Sequence, residues 1–271
     1  MTLRLAGPLL LVGAGKMGGA LLEGWLRNGL DPAKVIVSDP ALPPDVSALL
    51  ERHGIEVGCA PSAKPSVILI AVKPQLVDDV LPSLAPLVGT ETVIVSIAAG
   101  RTLASLARQL PKGSAIVRAM PNTPASIGQS MTVACANAAV TPEQALACNG
   151  LLEAVGDVVW IEDEALLDAV TAISGSGPAY VFLLAECLAE AGMAEGLPPE
   201  LAAQLSRATV AGAGELLRRS DMPAAELRER VTSPQGTTAA ALDVLMRKDG
   251  LQDLLRRAVA AAMKRSRNLS S

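Results

Sequence analysis

The stretch Leu9-Leu10-Leu11-Val12-Gly13-Ala14-Gly15-Lys16-Met17-Gly18 constrains the fold of this chain more than any other. A short apolar run reads as a buried strand, and the three glycines then open an amphipathic helix carrying Met17, Leu21, Leu22, Trp25 and Leu26. The spacing has a physical basis. Gly13 permits the sharp turn, Gly15 lets backbone approach a pyrophosphate, and Gly18 lets helix and strand pack closely, with the helix N-terminus facing the anion. Strand, tight turn and helix in this order predict a dinucleotide-binding fold, where a bare glycine triplet would predict only a turn.

A chain of 271 residues, 50% of them apolar, is long enough for two domains with a sizeable core. Beyond the first helix the pattern alternates. Val35-Ile36-Val37, Val67 to Val72, Thr92 to Ile97 and Ala115 to Ala119 read as strands, separated by helices over 45–52, over 75–84 and through Leu103, Leu106 and Leu110. Such alternation predicts a parallel, doubly wound sheet. Met131 to Cys135 adds a strand, Thr141-Pro142-Glu143-Gln144 has capping-box spacing with proline at the first helical position, and Val155 to Ile161 closes a first domain over 1–162. From Asp163 onward strand-like runs vanish. Long alanine- and leucine-rich helices follow, broken at Gly192 to Pro199, Ser220 to Pro223, Ser233 to Gly236 and Asp249-Gly250. The expected fold class is α/β, an N-terminal Rossmann-type doubly wound sheet followed by an all-helical domain over 163–271. Its helices are apolar over wide faces, for instance from Leu201 to Leu217, so a homo-oligomer is expected.

Charge and cysteine usage exclude several classes. A net charge of −4 with acids and bases interleaved leaves no basic stripe for nucleic acid. Cys59, Cys135, Cys148 and Cys187 are widely spaced without a Cys-x-x-Cys pair, which points to reduced thiols, no metal site and a cytoplasmic location. The apolar stretch from Ala169 to Ala185 is cut by Ser174-Gly175-Ser176-Gly177-Pro178, which argues against a membrane span. No signal-peptide cleavage pattern follows the N-terminal apolar run.

Loops that follow the strands of an open parallel sheet line the cofactor crevice, and Ala71-Val72-Lys73-Pro74, Ile97-Ala98-Ala99-Gly100 and Met120-Pro121-Asn122-Thr123-Pro124 fall there. Lys73 is a cofactor contact or an ordinary surface lysine; Asn122 is a functional amide or part of a stiff turn. Ser38 and Asp39 end the second strand, where an acidic residue meets the adenine ribose hydroxyls. A carboxylate there repels a 2′-phosphate and no arginine follows to offset it, so NADH is the expected preference; the alternative is an Asp39 that caps a turn. The sole histidine, His53, ends a polar helix, and the sole tyrosine, Tyr180, has Leu184 four residues on, where a short-chain dehydrogenase needs lysine. Two helix starts in the second half, Ser174 to Tyr180 and Thr232 to Thr238, combine hydroxyls with free backbone N–H groups. Each reads as an ordinary cap or as part of a carboxylate-binding pocket.

In this order and spacing, GAGKMG at 13–18, AVKPQ at 71–75, RAMPNTPASIG at 118–128, SGSGPAY at 174–180 and TSPQGTT at 232–238 resemble the pyrroline-5-carboxylate reductase family over nearly the whole chain. The resemblance implies NAD(P)H-dependent formation of L-proline and a helical dimerisation domain that interlocks two copies, often assembled further into a decamer. It implies that Gly13, Ala14, Gly15, Lys16, Met17 and Gly18 bind the pyrophosphate. Ala71, Val72, Lys73, Pro74, Ala98 and Asn122 would lie towards the nicotinamide, and Ser174, Ser176 and Gly177 would shape the substrate pocket. Gly236, Thr237 and Thr238 would hold the substrate, with Thr238 and Ser176 as the catalytic candidates. One departure stands out, since the family carries a second glycine where this chain has Gln235. Two other readings compete. A β-hydroxyacid dehydrogenase would need its catalytic lysine at Val181, and a non-catalytic redox sensor would bind cofactor without turning over an imine.

Overall fold

Eight strands form one sheet: β1 (Leu9–Val12), β2 (Val35–Ser38), β3 (Glu56–Val57), β4 (Val67–Ile70), β5 (Val93–Ser96), β6 (Ala115–Met120), β7 (Ser130–Ala136) and β8 (Gly156–Trp160), in the spatial order β3-β2-β1-β4-β5-β6-β7-β8. This computed structural model describes residues 3, 5–58 and 64–270, so Cys59 lies outside the described residues. Interleaved with the strands are α1 (Lys16–Arg27), α2 (Pro44–His53), α3 (Val77–Leu84), α4 (Leu103–Ala107) and α5 (Pro142–Glu153). β1 shows why its sequence is a continuous apolar run. Leu9 and Leu11 enter a core with Leu21, Leu22 and Trp25 of α1, whereas Leu10 and Val12 enter another with Val77 and Leu81 of α3. A strand buried on both faces needs no polar alternation.

The alternation identified the elements, but the sheet is not wholly parallel as expected. β6 and β7 pair antiparallel, with Arg118 opposite Cys135. The connection, residues 121–129, is shorter than the dozen or so residues that a parallel crossover requires. β8 then lies parallel to β7, because α5 supplies the crossover between them. α5 opens with the expected capping box, Thr141 and Gln144 each bonding the other's backbone. β3 was not expected; its two exposed residues carry no apolar pattern.

The polypeptide divides into two compact units, Met1–Gly175 with Met263–Ser271, and Ser176–Ala262. That division falls thirteen residues beyond the expected boundary at 162, because the segment after β8 packs into the first unit. Glu164 accepts the Leu103 N–H at 2.8 Å and pairs with the buried Arg118 at 2.9 Å. Leu167, in α6 (Leu167–Val170), is fully buried against Val133 and Cys135. The last helix, α11 (Leu251–Ser270), ends on this unit: the Ser266 hydroxyl donates to Asp168 at 2.7 Å, and Leu269 packs so closely on Gly100 that a Cβ there would lie 2.8 Å from it.

The serine–glycine segment expected to interrupt the chain is helical up to Gly175 and bends at Ser176, after which a helix starts as expected. A π-helical turn, Thr171–Gly175, joins α6 to α7 (Gly177–Ala194). The run Glu164–Ala194, taken through this bend, is by length and composition apolar enough to cross a membrane. The second unit continues with α8 (Pro199–Arg219), α9 (Ala224–Arg230) and α10 (Thr237–Leu245). Its helices end where the breaks were expected. Gly192 lets α7 and α8 approach, a Cβ there meeting Leu197 at 3.1 Å and Ala202 at 3.5 Å. In the single chain Phe182, Leu183, Leu205, Leu216 and Leu217 are exposed.

Candidate active site

Each fingerprint glycine has its own task. Gly13 has φ +89°, and a Cβ there would lie 2.9 Å from the Ala71 backbone. A Cβ on Gly18 would strike the Gly13 carbonyl oxygen, whereas Gly15 faces open space. Gly15 is the N-cap of α1, and no side chain caps its turn, so N–H groups of Lys16 and Met17 remain for an anion. Lys16 is exposed and Met17 half-buried against the core. This open, uncapped cradle fits a dinucleotide pyrophosphate.

Ala14 differs from its neighbours. It is fully buried, and its N–H donates to Asp39 Oδ2 at 2.6 Å, while the other Asp39 oxygen accepts the Ala41 N–H at 2.8 Å. Ser38 contributes its carbonyl, which accepts the Gly13 N–H at 2.8 Å. Asp39 therefore caps the turn after β2 and also clamps the glycine loop, so the Ala14 amide is engaged within the protein.

At the carboxyl ends of β4 and β5, Ala71 donates its N–H to the Val12 carbonyl at 2.7 Å, and Val72 packs on the second core. Lys73 is exposed and precedes a short 3-10 turn, Pro74–Leu76. Ala98 is 4% exposed within the core, and its N–H donates to the Ser96 hydroxyl at 3.4 Å. His53 is the exposed last residue of α2.

Asn122, after β6, has its whole amide occupied. Its Oδ1 accepts the Met131 N–H at 2.9 Å and the Ser130 hydroxyl at 3.2 Å, and its Nδ2 donates to both the carbonyl and the hydroxyl of Ser174 at 3.2 Å. Ser174 in turn donates to the Met131 carbonyl at 3.3 Å. The structure thus brings Asn122 and Ser174 together, 52 residues apart in sequence. Ser130 and the buried Thr132 complete the network, and only a polar interruption of an apolar strand marked them in the sequence. On the other side of β6 the Arg118–Glu164 pair adjoins Cys135, whose thiol is pushed up, chiefly by burial and next by the Glu164 charge.

Ser176, Gly177 and Gly236–Thr238 belong to the second unit. Ser176 precedes α7 without making a side-chain cap, and Gly177 faces open space. The turn Ser233–Gly236 closes with Gly236 donating to the Ser233 carbonyl at 3.0 Å, and Gln235 within it has φ +60°, the one non-glycine residue with positive φ among the described residues. α10 then starts at Thr237 with no side-chain cap. Its N-cap is Gly236, which has no side chain to give, so the first N–H groups of α10 carry no N-cap side-chain bond.

Comparison with known proteins places these features in one family. Residues 164–269 match the model described as pyrroline-5-carboxylate reductase dimerisation, and residues 9–100 match that described as NADP oxidoreductase, coenzyme F420-dependent. The chain is 40% identical over 261 residues to pyrroline-5-carboxylate reductase of Pseudomonas aeruginosa, covering 96% of this chain and 95% of that one. The solved pyrroline-5-carboxylate reductase of Coxiella burnetii superimposes with a TM-score of 0.90 at 33% identity, covering 98% and 100% of the two chains. The Plasmodium falciparum pyrroline carboxylate reductase with NADP bound gives a TM-score of 0.84 at 29% identity, covering 98% and 99%.

Proposed function

The chain belongs to the pyrroline-5-carboxylate reductase family, and from that membership we propose how its own residues serve the reaction. The enzyme is an NAD(P)H-dependent oxidoreductase of proline biosynthesis that reduces the C=N bond of 1-pyrroline-5-carboxylate to give L-proline. NAD(P)H supplies the hydride when bound. A cyclic imine protonates readily, and an iminium carbon accepts hydride without a strong protein acid. The protein's tasks are therefore orientation and electrostatics, which a site without histidine or a Tyr–Lys pair can meet.

The observation that carries the substrate assignment is the uncapped start of α10. Backbone N–H groups following Gly236, including that of Thr237, take the carboxylate, and the Thr238 hydroxyl meets the ring nitrogen. Ser176 and Gly177, at the equally uncapped start of α7, line the pocket, with the Ser176 hydroxyl as the second catalytic candidate. Gly13, Gly15, Lys16, Met17 and Gly18 hold the pyrophosphate, and Ala71–Pro74, the Ala98 backbone and the loop containing Asn122 border the nicotinamide. Thr238→Val removes one hydrogen bond to a charged group and should lower kcat/KM roughly ten- to a hundred-fold. Thr237→Val should change it much less. Steady-state kinetics and thermal melts on both variants decide: unchanged kcat/KM in Thr238→Val rules out the contact to the ring nitrogen.

We also propose a preference for NADH, supported by the Asp39 carboxylate at the end of β2. Equal or better kcat/KM with NADPH would overturn it. The helical segment is the family's dimerisation domain. Its exposed leucines and Phe182 support an assembly of at least two copies through residues 163–271, with a decamer as the higher assembly that the family resemblance implies; the same reading includes no membrane span and no nucleic-acid partner and puts the chain in the cytoplasm. Light scattering that finds a fully active monomer defeats the assembly. A redox sensor would bind cofactor yet leave it unoxidised when pyrroline-5-carboxylate is added.

A further inference from the structure

We propose that Asn122 is a positioning residue: it acts through Ser174, holding the π-helical turn Thr171–Gly175 against the carboxyl end of the sheet. Three separate contacts converge there. The Asn122 amide bonds Ser174 twice from Nδ2, with its oxygen anchored on β7 by Ser130 and Met131. The Ser174 hydroxyl reaches the Met131 carbonyl at 3.3 Å. Gly175 closes on the end of β6, where a Cβ would lie 2.6 Å from Met120 Cε.

A π-helical turn has poorer hydrogen-bond geometry than an α-helix and persists where its surroundings specify it. Here the surroundings are an amide whose donor and acceptor ends differ. Were Nδ2 replaced by an oxygen, the Ser174 carbonyl would face another acceptor, and the Ser174 hydroxyl would meet that oxygen only by giving up the Met131 carbonyl, so the turn would lose part of its hold without losing any apolar contact. The chain runs on from this turn into Ser176 and Gly177, residues proposed above for the substrate, so Asn122 is tied through Ser174 to the segment that precedes them. Both oxygen and nitrogen of Asn122 being occupied, its side chain serves the reaction by placing other groups, not by touching the nicotinamide.

This rests on the reading of the site given above, and the test separates the two. Asn122→Asp keeps the acceptor side toward Met131 and Ser130 while removing the donor. Ser174→Ala removes the hydroxyl and keeps the carbonyl acceptor. Measured are NADH binding to the free enzyme by fluorescence titration, kcat, KM for pyrroline-5-carboxylate and Tm, with Thr238→Val in parallel. The expected result for Asn122→Asp is a loss of kcat/KM of about ten-fold or more, from misplacement of the substrate groups, with NADH Kd within about two-fold of the parent enzyme. Ser174→Ala should show the same split to a smaller degree. A cofactor Kd that weakens in step with kcat/KM would make Asn122 a cofactor contact, and a lowered Tm with unchanged kinetics would make it packing alone. Either result overturns the proposal. If Thr238→Val loses activity while Asn122→Asp does not, only the positioning role fails; if Thr238→Val is unaffected, the substrate site itself fails.

Discussion

Asp39 accepts the Ala14 N–H at 2.6 Å, tying the end of β2 to the middle of the glycine fingerprint. One carboxylate thus clamps the glycine loop and, in the cofactor site proposed above, also sets a negative charge at the adenine ribose. Asp39→Asn keeps the shape but leaves one acceptor oxygen for the two N–H groups of Ala14 and Ala41. A hydrogen bond to a charged group is worth about 1.5–3 kcal/mol, and partial exposure places this one at the lower end. Binding of both NADH and NADPH should weaken by roughly ten-fold, with the ratio moving toward NADPH as the charge is removed. Titration of both cofactors checks this; a shifted ratio with undiminished NADH affinity would dismiss the clamp.

Gln235, with φ +60°, sits where the turn before α10 favours glycine. A side chain in that region costs roughly 1–2 kcal/mol, partly offset in a glycine variant by the entropy of its unfolded chain. Gln235→Gly should therefore be as stable as the parent or slightly more so, and the β-branched Gln235→Val should be about 1 kcal/mol less stable than Gln235→Gly. Melting of both variants at one protein concentration tests it. Equal stability of valine and glycine would mean that the turn does not require this conformation.

The Arg118–Glu164 pair is buried on the arginine side, 6% exposed against 26% for the glutamate. Glu164→Ala strands a buried guanidinium and also removes the acceptor of the Leu103 N–H, so a loss of about 3 kcal/mol is expected. Glu164→Gln retains a carbonyl oxygen for both donors and should lose less. Denaturant titration ranks the two; a glutamine variant as unstable as the alanine one would show that charge alone matters.

Burial pushes the Cys148 thiol up from 9.0 to about 12. Between those values the unfolded chain releases the proton while the folded chain keeps it. The unfolded state binds fewer protons, so stability falls as pH rises from about 9, with a limiting slope of about 1.4 kcal/mol per pH unit. Cys148→Val removes this contribution. Its stability, followed by denaturant unfolding from pH 8 to 11, should decline less steeply than that of the parent chain; parallel profiles would refute the linkage.

Much of this was readable in residues that act locally. The fingerprint from Gly13 to Gly18, the capping box of Thr141 and Gln144, the helix breaks and the apolar strands all follow from steric and hydrogen-bond rules spanning a few residues, and the sequence determined them unaided. The family motifs likewise sufficed to identify the reaction. What only the tertiary structure decided are relations across long separations. The antiparallel turn of β7 depended on how short its connection is relative to a crossover. The packing of residues 163–175 on the first unit depended on Glu164 meeting Arg118, 46 residues away. Ser174 looked like part of a flexible break because nothing near it in sequence could satisfy its polar groups. The fold brings Asn122 there, and Thr171–Gly175 becomes a helical turn whose Ser174 is bonded by its carbonyl and its hydroxyl.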